Sequence, residues 1–196
     1  HKMVSEIADI PRKLAKTINL GLFYGMGKGK LMSQLGVNLE DATEMLANYN
    51  ERVPFVKQLM NDTMSRAGKK GFLSTIEGRR CRFEEWEPIN EWGKKSLPLK
   101  EAQQEYGEHM IKRAWTYKAL NRLIQGSAAD QTKKAMLELY KQGYMAHIQV
   151  HDELDFSVAN EKDKSKIKEI MEHAIKLQVP SKVDVECGSN WGDAGG

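Results

Sequence analysis

Up to about residue 70, hydrophobic residues recur at the three- and four-residue spacing that is typical of amphipathic helices. This spacing predicts a helix over about residues 11–26, a second helix capped by Asn38, and a third that begins at Pro54. The first part of the chain is therefore predicted to be helical. The apolar side chains expected to form the buried face of its third helix are Phe55, Leu59 and Met60.

From residue 71 onward, the chain combines short alternating runs with longer helical patterns. Alternation on both sides of Glu77-Gly78 predicts a β-hairpin over residues 72–83. Residues 84–98 are irregular and mixed in charge, so we expect a surface loop there. Three helices and a final strand are predicted after this loop, at residues 99–115, 119–142, 162–177 and 183–187.

Two half-buried strands surround an acidic turn within residues 145–158. Apolar and polar residues alternate on both sides of His151-Asp152-Glu153, which predicts a second hairpin with carboxylates at its tip. Asp155 is expected on a strand, facing water. Carboxylate oxygens are ligands that Mg²⁺ prefers, although an ordinary polar turn is the simpler explanation of an isolated His-Asp-Glu sequence.

Together these elements predict an α+β protein in two parts. Residues 1–70 form a helical subdomain, and residues 71–196 contain a small antiparallel sheet flanked by long helices. A hydrophobic content of 40% and a charged content of 29% fit a soluble globular protein and exclude a disordered chain. At 196 residues, the chain is long enough for one sizeable core or two small ones.

The net charge of +3 does not identify a partner, but the positions of the charges are informative. Arg79, Arg80 and Arg82 form a cluster, which suits either contacts with nucleic-acid phosphates or a solvated face. Cys81 and Cys187 show no metal-binding spacing, so a reducing intracellular compartment is expected. No apolar run approaches membrane-spanning length and no signal peptide is visible, so we expect no membrane partner.

The first predicted helix carries a stripe of side chains spaced by four residues. Arg12, Lys16, Leu20 and Tyr24 follow one another along about 18 Å of helix, with two cations at the start and an aromatic ring at the end. This stripe suits a ligand with phosphates at one end and a stacking base at the other. A solvated basic turn followed by core aromatics accounts for the spacing equally well.

Three sequence motifs in order resemble those of the family A DNA polymerases, the bacterial DNA polymerase I type. The stretch RKLAKTINLGLFYGM, which contains the stripe, resembles motif B, the fingers helix of that family. QVHDELDF resembles motif C of the palm, and NRLIQGSAAD is similar to the helix that precedes motif C. The closing GSNWGDA looks like the C-terminal tail of bacteriophage members. The resemblance covers nearly the whole chain and is weakest from residue 84 to about residue 112.

The resemblance implies roles for the first helix in binding the incoming dNTP. Arg12 and Lys16 would bind its phosphates and stabilise the negative charge that develops during phosphoryl transfer, in which Lys16 is taken as a catalytic residue. Tyr24 would lie beside the nascent base pair, and His1 aligns with a histidine that contacts the phosphates. Leu20 faces the sugar and base where family members usually carry phenylalanine or tyrosine, so we expect poor incorporation of dideoxynucleotides.

The resemblance also implies contacts with primer–template DNA. Asn121, Gln125 and His151 match positions that contact the minor groove, where an acceptor common to all four bases permits a check of geometry without reading sequence. Independently of the resemblance, the clustered charge assigns Arg79 and Arg80 to contacts with DNA phosphates. Tyr117 stands where the family carries a basic residue, so one primer contact is expected to be absent or moved.

Asp152 would be a metal ligand in a reaction that uses two Mg²⁺ ions, and Glu153 would be a second carboxylate beside it. The other essential aspartate of the family lies in motif A, upstream of motif B, and the chain contains nothing similar to that motif. The resemblance therefore implies a C-terminal fingers and palm portion of the enzyme. We expect this portion to be inactive without motif A.

The implied function is that of a DNA-directed DNA polymerase in the cytoplasm of a bacterium or a phage-infected host. Its partners would be primer–template DNA and dNTPs, and the sequence does not identify a processivity factor. Two other functions stay open at this point. A metal-dependent phosphohydrolase could use His151 and Asp152, although the other histidines show no paired-ligand spacing. A non-catalytic nucleic-acid-binding module could use the arginine cluster.

Overall fold

The computed structural model of the protein describes residue 6, residues 15–18, residue 21, residues 28–91 and residues 93–194. Internal contacts divide the chain into two compact units, residues 1–124 and residues 125–196. The predicted division into a helical subdomain of residues 1–70 and a second part of residues 71–196 is a different one, and it stays a prediction. None of the helices in the described ranges has both the length and the apolar character needed to cross a bilayer.

Within residues 28–70, three helices follow one another: α1 (Lys28–Leu35), α2 (Leu39–Arg52) and α3 (Pro54–Lys70). The second and third begin where their start signals predict. The Asn38 side-chain oxygen accepts a hydrogen bond from the Asp41 N–H at 2.8 Å, and Pro54 occupies the first turn of α3. The sequence did not predict α1, which begins within a glycine-containing segment that favours no helix.

The buried face of α3 differs from the prediction. Phe55 and Leu59 are 55% and 45% exposed, and only Met60 of the predicted residues packs on the core. Both faces satisfy the helical spacing, and the face with smaller side chains is the buried one because small residues permit a closer approach of the backbones. The residues of this buried stripe are Val56, Met60, Thr63 and Ala67.

The first core lies among these helices and the helical residues 15–18. Ala15 and Ile18 are fully buried against residues of α1, α2 and α3. Tyr49 is one of the largest buried side chains in this core, and its burial raises the pKa of its phenol. Lys16, between the two buried residues, is exposed to solvent.

The predicted hairpin at residues 72–83 is present. Strands β1 (Phe72–Ser74) and β2 (Arg80–Arg82) pair antiparallel, with Leu73 opposite Cys81. Gly71 ends α3 in the left-handed conformation at a φ of 76° and leads directly into β1. A second small core forms here, and its buried members are Ala67, Leu73, Phe83 and Ala119.

The structure contradicts the predicted surface loop at 84–98 and the long helix at 99–115. Strand β3 (Glu85–Pro88) is the centre of a three-stranded antiparallel sheet, between β4 (Leu97–Pro98) and β5 (Ile111–Arg113). Helix α4 covers only Leu99–Tyr106. It ends there because Gly107 has a φ of 90°, a non-helical conformation after which the chain continues to β5. Pro88 concealed the central strand, because a proline argues against a central strand when only the sequence is read.

After a short 3₁₀ turn (Thr116–Lys118), α5 runs from Ala119 to Lys141, within one residue of the prediction. The second unit then contains β6 (Ile148–Val150), β7 (Glu153–Asp155), α6 (Glu161–His173) and a single turn, α7 (Trp191–Ala194). Its core lies between α5, α6 and the hairpin, and the buried members are Leu139, Ile167 and Ile170, with Leu154 and Phe156 packed against them.

The predicted strand at 183–187 is not formed. The segment lies beside α6, where the Val183 N–H donates to Glu172 Oε1 at 3.0 Å, while Ser181 Oγ accepts from Gln131 at 2.8 Å. The Val183 N–H is therefore satisfied by a side chain of α6 and not by a neighbouring strand, and the side chain of the preceding Ser181 is bonded to α5. The predicted helix at 162–177 ends four residues early, at His173.

Candidate functional site

The acidic turn is the tip of a short antiparallel hairpin. Ile148 pairs with Asp155, and Val150 pairs with Glu153, so His151 and Asp152 alone form the loop. His151 has a φ of 53°, a left-handed conformation that residues other than glycine rarely adopt. The Gln149 side chain donates to the His151 carbonyl at 2.6 Å and supports this turn. Such backbone strain is frequent at functional sites.

The tip of this hairpin is exposed, whereas its second strand is anchored. His151, Asp152 and Glu153 are exposed, while Leu154 and Phe156 pack on the core of the second unit. Alternation along β7 thus packs Leu154 on the core and leaves Glu153 exposed next to Asp152. A ligand can approach the carboxylates without any rearrangement of the strand that holds them.

Asp155 does not face water as predicted. It is half-buried beside Ile148, and its Oδ2 is buried with no hydrogen-bond partner in the part of the chain that the structure describes. The strand register explains this difference, because Asp155 shares one face of the hairpin with the apolar Ile148 and Val150.

The two acids at the tip suit part of a magnesium site. Asp152 and Glu153 offer exposed carboxylate oxygens, the ligands that Mg²⁺ prefers. Within residues 28–91, 93–194 and the few described before them, no three His, Cys, Asp or Glu side chains form a group able to hold an ion. Further ligands would therefore have to come from elsewhere, such as substrate phosphates.

Two predicted DNA contacts lie on successive turns near the start of α5. Asn121 is half-buried and Gln125 is exposed, and their separation of four residues corresponds to about 6 Å along the helix. The fully buried Ala119 and the nearly buried Leu120 fix the first turn of this helix. Asn121 is thereby held on an element with a defined orientation.

The arginine cluster lies on the solvent side of the first hairpin. Arg79, Arg80 and Arg82 are exposed, whereas Cys81 is half-buried and packs toward the second core. Arg82 forms an ion pair with the exposed Glu84 at 3.7 Å, a contact of little energetic weight in water. The weak ion pair leaves Arg82 able to exchange Glu84 for an anionic ligand.

Of the residues predicted to bind dNTP, the structure describes only Lys16, which is exposed on a helical turn anchored by Ala15 and Ile18. The other four lie outside the described residues: His1, Arg12, Leu20 and Tyr24.

Sequence reasoning missed Lys118 and Arg122. The Lys118 ammonium lies 4.3 Å from the centre of the Trp115 ring, and the Arg122 guanidinium lies 5.0 Å from that of Phe83. The sequence offered one signal of these cation–π contacts, which is that Trp115 and Tyr117 lie within three positions of Lys118.

An acid near these cations is held in its charged form. Hydrogen bonds from Ser96 and Trp115 lower the pKa of the Glu85 carboxyl, and the charges of Arg122 and Lys95 lower it further against an opposing effect of desolvation. The Trp115 indole N–H donates to Glu85 Oε2 at 3.0 Å, so this carboxylate fixes the orientation of the ring on which Lys118 rests.

Residues 1–193 match the family model described as DNA polymerase family A. The chain belongs to DNA polymerase family A. It is 36% identical to a DNA-directed DNA polymerase of Pseudomonas phage M6, over 100% of this chain and 31% of that protein. It is 33% identical to DNA polymerase I of Bacillus subtilis, over 99% of this chain and 21% of that protein. The chain thus spans between a fifth and a third of the length of these relatives.

A solved structure agrees with this assignment. The POL domain of Pol1 from M. smegmatis, in complex with DNA primer-template and dNTP, matches 99% of this chain and 34% of that chain. The TM-score is 0.77 at 29% sequence identity. The resemblance seen in the sequence and the predicted α+β fold of helices with small antiparallel sheets are therefore confirmed.

Proposed function

We propose that this chain is the fingers and palm portion of a DNA-directed DNA polymerase, which adds dNTPs to a primer 3′-hydroxyl. The observation that carries the proposal is the hairpin tip of a family A chain, where Asp152 and Glu153 stand exposed on an anchored strand. The family match favours this function over the phosphohydrolase and the binding module considered above. Residues 1–70 would act as fingers and residues 71–196 as palm.

Asp152 would be the metal ligand of this portion, and Glu153 would support it. Bound Mg²⁺ activates the primer hydroxyl and neutralises charge on the transferred phosphate. By family resemblance, a further aspartate ligand belongs to motif A, which these 196 residues do not contain. The exposure of Asp152 supports its assignment, because a ligand must reach both the ion and the substrate phosphates.

The remaining predicted residues would place the substrates. Arg12, Lys16 and His1 would bind the triphosphate, while Leu20 and Tyr24 would face the sugar and the base. Asn121, Gln125 and His151 would contact the minor groove of the primer–template, and Arg79 and Arg80 would bind its backbone. The exposure of Lys16 and of the arginine cluster supports these assignments. Replication in the cytoplasm of a bacterium or of a phage-infected host is the expected setting.

Primer extension with Mg²⁺ tests this proposal. The assay uses the complete polymerase, meaning this chain together with any sequence that precedes it, as wild type, Asp152→Ala and Asp184→Ala. Asp184 is an exposed aspartate outside the hairpin of β6 and β7, so its variant controls for loss of a surface charge. We expect Asp152→Ala to reduce the rate at least about a hundredfold and Asp184→Ala to leave it unchanged. Equal rates for all three proteins would refute the assignment.

A further inference from the structure

Among the described residues of the first unit, four cations rest on aromatic rings at distances typical of cation–π contacts: Arg113 over Trp86, and three others. These three others belong to the surface that begins at the hairpin of β1 and β2 and continues to the start of α5. The pairs are Arg80 over Phe72 at 4.7 Å, Lys118 over Trp115 at 4.3 Å and over Tyr117 at 5.4 Å, and Arg122 over Phe83 at 5.0 Å.

None of these three cations forms an ion pair with an acid in the described part of the chain. Glu85 is the acid whose charge acts on Arg122, and its Oε2 accepts hydrogen bonds from Ser96 and Trp115. A ring restrains a cationic side chain while leaving its charge uncompensated. Lys118 and Arg122 are therefore ordered in advance for an anion, which reduces the entropy lost on binding.

A direct contact joins the two elements that carry these cations. Arg122 Nη1 donates to the Arg82 carbonyl at 3.3 Å, which attaches the start of α5 to strand β2. Lys118 precedes Arg122 by four residues, about one helical turn, and so extends the same row. The result is a connected strip of separated positive charges, here called the ring-held strip: Arg80, Arg122 and Lys118.

We propose that Lys118 and Arg122 bind backbone phosphates of the primer–template and that their aromatic rings position them for this contact. The inference rests on the proposed polymerase function. Separated cations in a row match the repeating phosphates of a DNA strand, and a guanidinium can hold two phosphate oxygens at once. Asn121, proposed to contact the minor groove, directly precedes Arg122 in α5, so the phosphates flanking that contact are the expected ligands.

The salt dependence of DNA binding tests this inference. Fluorescence anisotropy of a labelled primer–template is measured with the complete polymerase at several salt concentrations. Lys118→Gln and Arg122→Gln should each reduce the slope of log K against log salt by about 1, and the double variant by about 2. Lys112→Gln removes the same charge from a lysine that pairs with Glu87 at 3.7 Å, and it should leave the slope unchanged.

Variants of Trp115 test the role of the ring separately. Trp115→Leu removes the ring under Lys118, whereas Trp115→Phe keeps a ring and loses only the N–H donated to Glu85 and Ser96. We expect Trp115→Leu to weaken DNA binding about two- to fivefold, with recovery in Trp115→Phe. A merely structural role for the indole hydrogen bonds would instead weaken both variants equally, which would contradict a positioning role of the ring.

Failure of this inference can be distinguished from failure of the proposed function. If the double variant keeps the wild-type salt slope while the wild type extends primers, the ring-held strip does not bind DNA and the polymerase assignment stands. If the wild-type polymerase neither binds primer–template nor extends it, both proposals are overturned. A thermal unfolding scan of each variant shows that any change in slope belongs to a folded protein.

Discussion

Replacing Gly71 with alanine should destabilise the first unit through two separate effects. Gly71 has a φ of +76°, a left-handed conformation in which a Cβ costs about 1–2 kcal/mol. An added Cβ would also lie 2.7 Å from Arg113 Cζ, closer than non-bonded carbon atoms can approach. The guanidinium of Arg113 would therefore have to move.

The contacts of Arg113 set the size of the second effect. Its guanidinium lies 4.6 Å from the centre of the Trp86 ring, and its Nη1 donates to the Phe83 carbonyl at 2.7 Å. Displacement would weaken a hydrogen bond of a charged group and a cation–π contact, together about 2 kcal/mol. Since the side chain is flexible and need not lose both contacts entirely, we expect about 3 kcal/mol in total for Gly71→Ala.

Gly78→Ala is the matched control. Gly78 has a φ of +82°, but a Cβ there would meet nothing within 4 Å, so only the backbone effect of about 1–2 kcal/mol applies. Urea unfolding followed by tryptophan fluorescence gives the free energy of unfolding of each variant. In an Arg113→Ala background, Gly71→Ala should cost no more than Gly78→Ala. Equal destabilisation by the two glycine variants in the wild-type background would refute the role assigned to Arg113.

Three further predictions concern other sites. Asn38→Ala should lower the free energy of unfolding by about 1 kcal/mol because α2 loses its cap, and Asn38→Ser should restore most of it in the same urea assay. Leu20→Tyr should increase dideoxynucleotide incorporation in primer extension, and an unchanged ratio to normal nucleotides would contradict the resemblance. The pKa of Glu85 is lowered in the folded state, so its contribution to stability is present above its ordinary pKa and is lost as pH falls through the lowered value. Glu85→Gln should therefore flatten the acid limb of stability against pH, and an unaltered limb would show that this carboxylate is not responsible.

Helix starts and hairpins were predictable because local signals determine them. Asn38 and Pro54 mark helix starts through their own side chains, and Gly78 marks a turn between two alternating runs. The sheet of β3, β4 and β5 was not predictable in this way. Trp86 pairs with Arg113 across 27 positions of sequence, and no local pattern announces that pairing.

The candidate site likewise combines features that local sequence determines with features that depend on residues far apart in the chain. The acids at the tip of the second hairpin follow from alternation and a family motif, both of which are local in sequence. The ring under Arg122 belongs to Phe83, which lies far away in the chain and comes close only through packing of the second core. The partial burial of Asp155 likewise depends on the strand register, which composition does not determine.

If Asp152 is a metal ligand of the polymerase, its loss should impair nucleotide addition and leave DNA binding nearly intact. Single-turnover addition of one nucleotide and the Kd for primer–template are measured together for the complete polymerase and its Asp152→Ala variant. We expect the addition rate to fall at least about a hundredfold while the Kd changes by less than about threefold. An unchanged rate, or a rate lost only in proportion to weakened DNA binding, would contradict the assignment of Asp152 as the metal ligand of the polymerase.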